Sequence, residues 1–233
     1  KSNQPSTFII GSLHKLKVSA MFNTLILLTV LCLSGNAQTL KSATASGWGG
    51  YVGTEMNAGN MRNDYSYKQK AAEQYNMAVA EYECKFTTQY AKGQWGWDDC
   101  DYIYNWAKEN SMTFRFHALI WNIYNPQWLQ NNEGGSGATY LRTQMRIHIE
   151  EAMNRYPNVQ YWDVVNEAIK DDLSSGTCST CNIYKQYAKQ GNDGWQEDRW
   201  YDINKAGGNY VKEAFEIASS VNSNVKLFYN DYN

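Results

Sequence analysis

The chain has 233 residues, 43% of them hydrophobic, and a formal net charge of −2 at pH 7. This length allows one large domain or two small ones with an apolar core, and the charge gives no electrostatic basis for binding nucleic acid or an anionic membrane. Aromatic residues make up 15% of the chain, with 18 Tyr and 9 Trp. Because such rings stack well on the apolar faces of sugars, the composition favours a carbohydrate ligand, although ordinary packing also uses them.

The N-terminal segment has the pattern of an export signal. Residues 25–33 (LILLTVLCL) are apolar but too few to span a bilayer, and Gly35 and Ala37 supply small residues for cleavage before Gln38. The first Met is Met21. We therefore predict upstream or added sequence at 1–20, a signal peptide at 21–37, a linker at 38–49 and a folded domain at 50–233, in a secreted or extracytoplasmic protein. The alternative, a buried hydrophobic helix, fits poorly with the Ser, Gly and Ala residues that follow.

Four cysteines remain after the predicted leader: Cys84, Cys100, Cys178 and Cys181. An even number in an exported chain permits disulfides, and Cys178 and Cys181 are close enough in sequence for a local one, so the pairing stays open. A zinc site would need a second close pair or suitably spaced His ligands, which this pattern lacks. We predict no metal and no other cofactor.

Strand and helix patterns alternate along the predicted domain. Strands are expected at 51–56, 76–81, 112–120, 159–165 and 225–229, and helices at 67–74, 98–110, 140–155 and 209–221. This alternation predicts an α/β protein with a parallel sheet. An eight-stranded TIM barrel takes about 250 residues or more. We therefore expect about the first five strands of a (β/α)8 barrel and a chain truncated at its C-terminus.

The stretch 161–169 (YWDVVNEAI) delivers an amide and a carboxylate to the end of a buried strand. The carboxyl ends of the strands carry the active site in such barrels. Glycoside hydrolysis needs two carboxyl groups, one of them protonated at the working pH, and Glu167 is the candidate acid. Asn166 is placed to bind a sugar hydroxyl, whereas Asp163 has the opposite strand parity and is expected to be buried and structural. Taken alone, the stretch fits a core strand equally well.

Other polar residues follow the second and third strands: Glu81 and Lys85, then His117 and Trp121. Singly, each has an ordinary interpretation, namely a surface amine for Lys85, a core group for His117 and packing for Trp121. Their coincidence at the ends of successive strands favours a shared site, because only one end of a barrel carries it.

With these residues in place, the chain resembles glycoside hydrolase family 10, the β-1,4-xylanases. Residues 161–169 resemble the acid/base strand of the family, and residues 114–129 (FRFHALIWNIYNPQWL) resemble its third-strand motif. Residues 76–86 (NMAVAEYECKF) are similar to the second-strand motif. The first strand (YVGTEM) and the last seven residues (LFYNDYN) match in the same order, so the resemblance covers about residues 50–233.

The resemblance implies a retaining endo-β-1,4-xylanase in which Glu167 is the general acid/base. It implies xylan or a related plant cell-wall polysaccharide as the partner, and a monomer. Residues that hold the sugar beside the cleaved bond correspond to Lys85, His117, Trp121 and Asn166, and Glu81 corresponds to the next sugar site outward. The family's nucleophile lies on a later strand, so we expect it outside this chain and expect the 233-residue piece to be inactive.

The sequence also departs from the family pattern. Tyr82 stands where Asn usually follows the Glu of the second motif, Cys84 and Phe86 replace Met and Trp, and Asn122 replaces a His. These departures concern the outward sugar site and its selectivity. A barrel glycanase acting on glucan or mannan, and a polysaccharide-binding protein without turnover, remain the alternative hypotheses.

Overall fold

A computed structural model describes residues 38–47, 49–169 and 199–231. Within them, five parallel strands form one sheet in the order β1-β2-β3-β4-β5. The strands are β1 Gly53–Met56, β2 Met77–Ala80, β3 Thr113–Trp121, β4 Tyr161–Asn166 and β5 Lys226–Asn230. Each predicted strand is therefore present, with ends that differ from the prediction by a few residues.

Helices connect the strands and cover the sheet. They are α1 Leu40–Gly47, α2 Ala58–Asn63, α3 Tyr65–Gln74, α4 Asp98–Glu109, α5 Gln127–Gln130, α6 Gly137–Arg155, α7 Tyr201–Lys205 and α8 Tyr210–Val221. The long helix α6 forms because Leu141, Met145 and Ile149 recur at i+4 spacing and are fully buried. The predicted α/β architecture with strand–helix alternation is confirmed.

Residues 40–47 differ from the predicted linker at 38–49, since they form helix α1. The Lys41 ammonium donates a hydrogen bond to the Ala72 carbonyl at 2.5 Å, and the Leu40 amide donates to Gln74 Oε1 at 3.2 Å. The Ser, Thr and Ala residues of this segment are compatible with a helix, and contact with α3 supplies the tertiary support that a short helix needs. Composition alone could not reveal that contact.

The two faces of the sheet have different chemistry. On the helix-covered face, Phe116 stacks on Trp162 with ring centroids 4.7 Å apart, and Tyr156 packs against Phe116 at 5.7 Å. On the opposite face, Arg115 pairs with Asp163 and lies 4.7 Å from the Phe228 ring centroid. Strand alternation separates Arg115 from Phe116 and thereby keeps the polar groups on the inner face of the sheet.

A disulfide joins Cys84, in the loop after β2, to Cys100 in the first turn of α4, and both residues are fully buried. Cys178 and Cys181 lie outside the described residues, as does most of the long loop after β4. Among the helices that the structure describes, none is long and apolar enough to cross a membrane.

Candidate active site

Glu167 follows the last residue of β4 with a left-handed backbone conformation, φ 51°. Few residues other than glycine adopt this region, so neighbouring structure must hold it. The Glu167 amide donates to the Asn230 carbonyl at 2.9 Å, and the Ala168 amide donates to Tyr229 Oη at 3.1 Å. Burial and a hydrogen bond to Asp231 raise the pKa of Tyr229. The end of β5 therefore fixes the turn that aims the Glu167 side chain.

Both oxygens of the Glu167 carboxylate accept hydrogen bonds from predicted site residues. Trp121 Nε1 donates to Oε2 at 3.0 Å, and Asn166 Nδ2 donates to Oε1 at 3.1 Å. Asn230 Nδ2 in turn donates to Asn166 Oδ1 at 2.7 Å, which orients the Asn166 amide. The strand register explains this cluster, because Trp121, Asn166 and Asn230 are paired neighbours on β3, β4 and β5.

Lys85 lies beside this cluster and is only 3% exposed. Its ammonium donates to the Glu81 carbonyl at 2.5 Å and lies 4.5 Å from the ring centroids of both Trp121 and Tyr124. Burial lowers the pKa of Lys85, and the charge of Glu55 is foremost among the nearby carboxylates that oppose this shift. The interpretation of Lys85 as a solvated surface amine is therefore wrong.

His117 lies deeper on the inner face, where Asp163 holds its ring. The Asp163 carboxylate accepts from His117 Nδ1 at 2.9 Å and from Arg115 Nε at 3.0 Å. Asp163 is 2% exposed, which confirms its predicted burial, and its bonds to His117 and Arg115 place it on the inner face. The Asp163 oxygen that faces Nδ1 is a hydrogen-bond acceptor, so it favours the neutral tautomer of His117 with the proton on Nδ1. In that tautomer Nε2 is the nitrogen that can accept a hydrogen bond.

Glu81 lies at the outer end of the same group of strand ends. Asn57, which follows β1, donates from Nδ2 to Glu81 Oε2 at 3.0 Å. The Glu81 amide also donates to the Met56 carbonyl at 3.0 Å, so the first two strands end at the same level. The structure thus places all six predicted site residues at the carboxyl ends or on the inner face of the sheet, and their roles stay predictions.

Several residues of the cluster had no predicted place in the site. Tyr124 stacks on Trp121 with centroids 5.0 Å apart, and Tyr82 stacks on Tyr124 at 5.7 Å. Asn57 and Asn230 supply hydrogen bonds to Glu81 and Asn166. Asn230 lies in the matched LFYNDYN stretch, which was the one available sequence signal. Tyr124 and Asn57 follow strands within loops, where periodicity carries no information.

Known proteins resemble this chain in both sequence and structure. A family model described as glycosyl hydrolase family 10 matches residues 40–233. Endo-1,4-beta-xylanase B of Neocallimastix patriciarum is 40% identical over 184 residues, which are 78% of this chain and 19% of the relative. Endo-1,4-beta-xylanase A of Halalkalibacterium halodurans is 32% identical over 68% of this chain and 39% of the relative.

Solved structures agree with the family match. A psychrophilic family 10 endo-beta-1,4-xylanase superposes with a TM-score of 0.68 and 28% identity, covering 84% of this chain and 56% of its own. Xylanase XynB from Paenibacillus barcinonensis gives a TM-score of 0.67 at 23% identity, covering 86% and 54%. These neighbours confirm the TIM-barrel fold class. The chain spans about half the length of the solved structures and 19% to 39% of the two curated relatives given above.

Proposed function

Because the chain belongs to glycosyl hydrolase family 10, we propose that the protein hydrolyses internal β-1,4 bonds of xylan with retention of configuration. The observation that carries this proposal is the Glu167 carboxylate, which Trp121 and Asn166 orient at the carboxyl end of β4. The relatives described as endo-1,4-beta-xylanases support the choice of substrate.

In the proposed reaction, Glu167 gives a proton to the leaving glycosidic oxygen and later removes one from the attacking water. Asn166 is one residue away with its amide fixed by Asn230, so it can hold the 2-hydroxyl of the reacting sugar. Lys85 and His117 flank this position as hydrogen-bonding groups for the same sugar. Each is held in place by the protein, Lys85 by surrounding rings and His117 by Asp163.

Retention requires a second carboxylate, about 5–5.5 Å from the first, that forms a covalent glycosyl-enzyme. The sequence resemblance assigns this nucleophile to a strand later than β5. We therefore propose that it lies outside these 233 residues and that the 233-residue piece does not turn over xylan by itself. Assays of the piece beside the complete gene product test this, since comparable activity of the piece would refute it.

The substrate is tested by assaying the complete gene product on xylan, cellulose and mannan. The proposal predicts hydrolysis of xylan with NMR-detected release of the β-anomer first, because two inversions restore the original configuration. Hydrolysis of glucan or mannan without hydrolysis of xylan would show that xylan is not the substrate. Binding to xylan with no hydrolysis would favour a polysaccharide-binding protein.

We also propose export to an oxidising compartment. Support comes from the buried Cys84–Cys100 disulfide, because disulfides persist in secreted proteins and are rare in the cytosol. The apolar run at residues 25–33 is the second support. N-terminal sequencing of the protein recovered from its source tests the proposal. A mature chain that begins near Gln38 is expected, and an uncleaved leader in the cytosolic fraction would contradict export.

A further inference from the structure

Aromatic rings extend in an unbroken series from Glu167 to the outer end of the site. Trp121 donates to the Glu167 carboxylate, Tyr124 stacks on Trp121 with an interplanar angle of 25°, and Tyr82 stacks on Tyr124 at 29°. Tyr82 is the outermost ring and is 43% exposed. The series thus leads from the proposed acid/base to a partly exposed aromatic surface.

The Glu81 carboxylate already has protein donors at this outer end. Asn57 donates to its Oε2 atom at 3.0 Å. Hydrogen bonding to Glu81 raises the pKa of Tyr82 to about 12, because ionising the hydroxyl would break that bond and place two negative charges together. These two donors occupy part of the acceptor capacity of the Glu81 carboxylate, so fewer of its lone pairs are left for an incoming sugar than in a free carboxylate.

The tyrosine rings are held in place before any ligand arrives. The Lys85 ammonium lies 4.5 Å from the Tyr124 centroid and 5.0 Å from the Tyr82 centroid, close enough for cation–π attraction to both. The backbone between Tyr82 and Lys85 is anchored, since Cys84 forms a disulfide with Cys100 in α4. Rings that are already ordered lose little conformational freedom when a ligand stacks on them.

We propose that Tyr82, backed by Tyr124, forms a stacking platform for the second sugar outward from the cleaved bond. This proposal rests on the proposed function. It states that the outer sugar is bound mainly by apolar contact with an aromatic ring. The ligand is the apolar face of a β-1,4-linked pyranose whose inner neighbour lies beside Glu167. We assign the platform to this sugar because its rings continue from the Glu167 cluster through Trp121.

A stacking contact discriminates weakly between sugars that differ by one hydroxyl or hydroxymethyl group. A site built from hydrogen-bonding groups would leave buried polar groups unpaired when the wrong sugar binds, and it would reject that sugar strongly. The platform therefore predicts that the outer site accepts glucose nearly as well as xylose, whereas selectivity is set at the inner site.

The test compares substrates of one and two sugars in the complete gene product. Dinitrophenyl xyloside reaches only the inner site, and dinitrophenyl xylobioside reaches both. For Tyr82→Ala we expect kcat/KM on the xylobioside to fall roughly tenfold, the size of a lost aromatic contact, with no change on the xyloside. Tyr82→Phe keeps the ring and is expected to retain most of the rate on the xylobioside that Tyr82→Ala loses.

Two results would overturn the platform. Equal losses on both substrates would show that Tyr82 acts on the inner site or on folding, and thermal melting of each variant separates those causes. A gain on the xylobioside in Tyr82→Ala would show that the ring obstructs the site.

Calorimetric binding of xylotriose to protein carrying Glu167→Gln makes the readout independent of turnover. Weaker binding on adding Tyr82→Ala supports the platform even if the wild type hydrolyses nothing, in which case only the proposed function fails. Unchanged binding overturns the platform.

Discussion

Two histidines lie in the described part of the chain, in opposite surroundings. His117 is on the inner face of the sheet, with its side chain 14% exposed, and is held by Asp163. His148 is on α6, fully buried and stacked on Phe86 with centroids 3.9 Å apart. Neither His148 ring nitrogen makes a hydrogen bond of ordinary geometry to a described residue. The difference shows that a histidine's role follows from the partner that the fold supplies.

The same contrast appears in their electrostatics. Burial lowers the pKa of His148 from 6.5 to about 3, and the Leu119 backbone opposes this shift but is outweighed. His148 is therefore a neutral aromatic member of the core, next to Phe86 and the Trp200 ring that stacks on the same Phe. His117 belongs to a polar network with an arginine and a carboxylate, which is compatible with the sugar-holding role proposed for it.

The largest effect is expected from breaking the His117 network at its centre. Asp163→Asn removes the buried charge that pairs with Arg115 and His117, and we expect a loss of about 3 kcal/mol in the free energy of unfolding. Urea denaturation at pH 7 measures it. Asp202→Asn is the control, since Asp202 is a half-exposed partner of Arg199 and should cost less than about 1 kcal/mol. Similar losses in the two variants would show that the network is not structural.

The next effect concerns His148 and pH. The pKa of His148 is lower in the folded than in the unfolded state, so the unfolded chain takes up the proton as the pH falls below 6.5. This group's contribution to stability is therefore complete above pH 6.5 and is lost between 6.5 and 3, amounting to about 2 kcal/mol at pH 5. We expect His148→Phe to remove the part of the acid-induced loss in the free energy of unfolding that is due to His148, while keeping the aromatic stack on Phe86.

Urea denaturation of wild type and His148→Phe at pH 7.5 and pH 5 measures this part of the loss. The stability difference between the two pH values should be about 2 kcal/mol smaller in the variant. An unchanged difference would mean that His148 is protonated, or has found a partner, in the folded state.

The smallest stability effect is expected at His117 itself. His117→Ala removes one hydrogen bond, but Arg115 still pairs with Asp163, so unfolding should be easier by only about 1 kcal/mol. If His117 holds the sugar as proposed, kcat/KM on xylan should still fall by tenfold or more, since one such bond is worth about that much. Steady-state kinetics at matched temperature measures this. Unchanged activity would remove His117 from the site.

Much of the fold and of the site followed from sequence patterns. The periods of the apolar residues located all five strands and helices α3, α4, α6 and α8, and Asp163 is buried as expected. Strand parity did not separate Asp163 from Asn166, because the register of β4 shifts between Asp163 and Val165 and both side chains lie on the inner face. The third- and fourth-strand motifs brought Trp121, Asn166 and Glu167 to one place, where the structure joins them by hydrogen bonds. Local patterns sufficed here because strand ends share one edge of the sheet.

What the sequence did not reveal depends on long-range contacts. The Cys84–Cys100 pairing was open because connectivity does not follow from spacing. The buried position of His148 on α6 and the cage of rings around Lys85 depend on how loops and helices meet. The stack of Tyr82 on Tyr124 joins two loops that are 42 residues apart, from 82 to 124, and no local pattern links them.

Glu167→Gln in the complete gene product tests the central claim, that Glu167 is the general acid/base. On xylan, which has a poor leaving group, we expect kcat to fall by about 10²–10⁴-fold. On dinitrophenyl xylobioside the leaving oxygen needs no proton, so a burst of dinitrophenol should precede slow turnover, and azide should restore turnover because it attacks without a base. Glu216→Gln, on the exposed face of α8, is the matched control and should behave as wild type. Equal losses on both substrates, with no burst and no rescue by azide, would contradict the assignment.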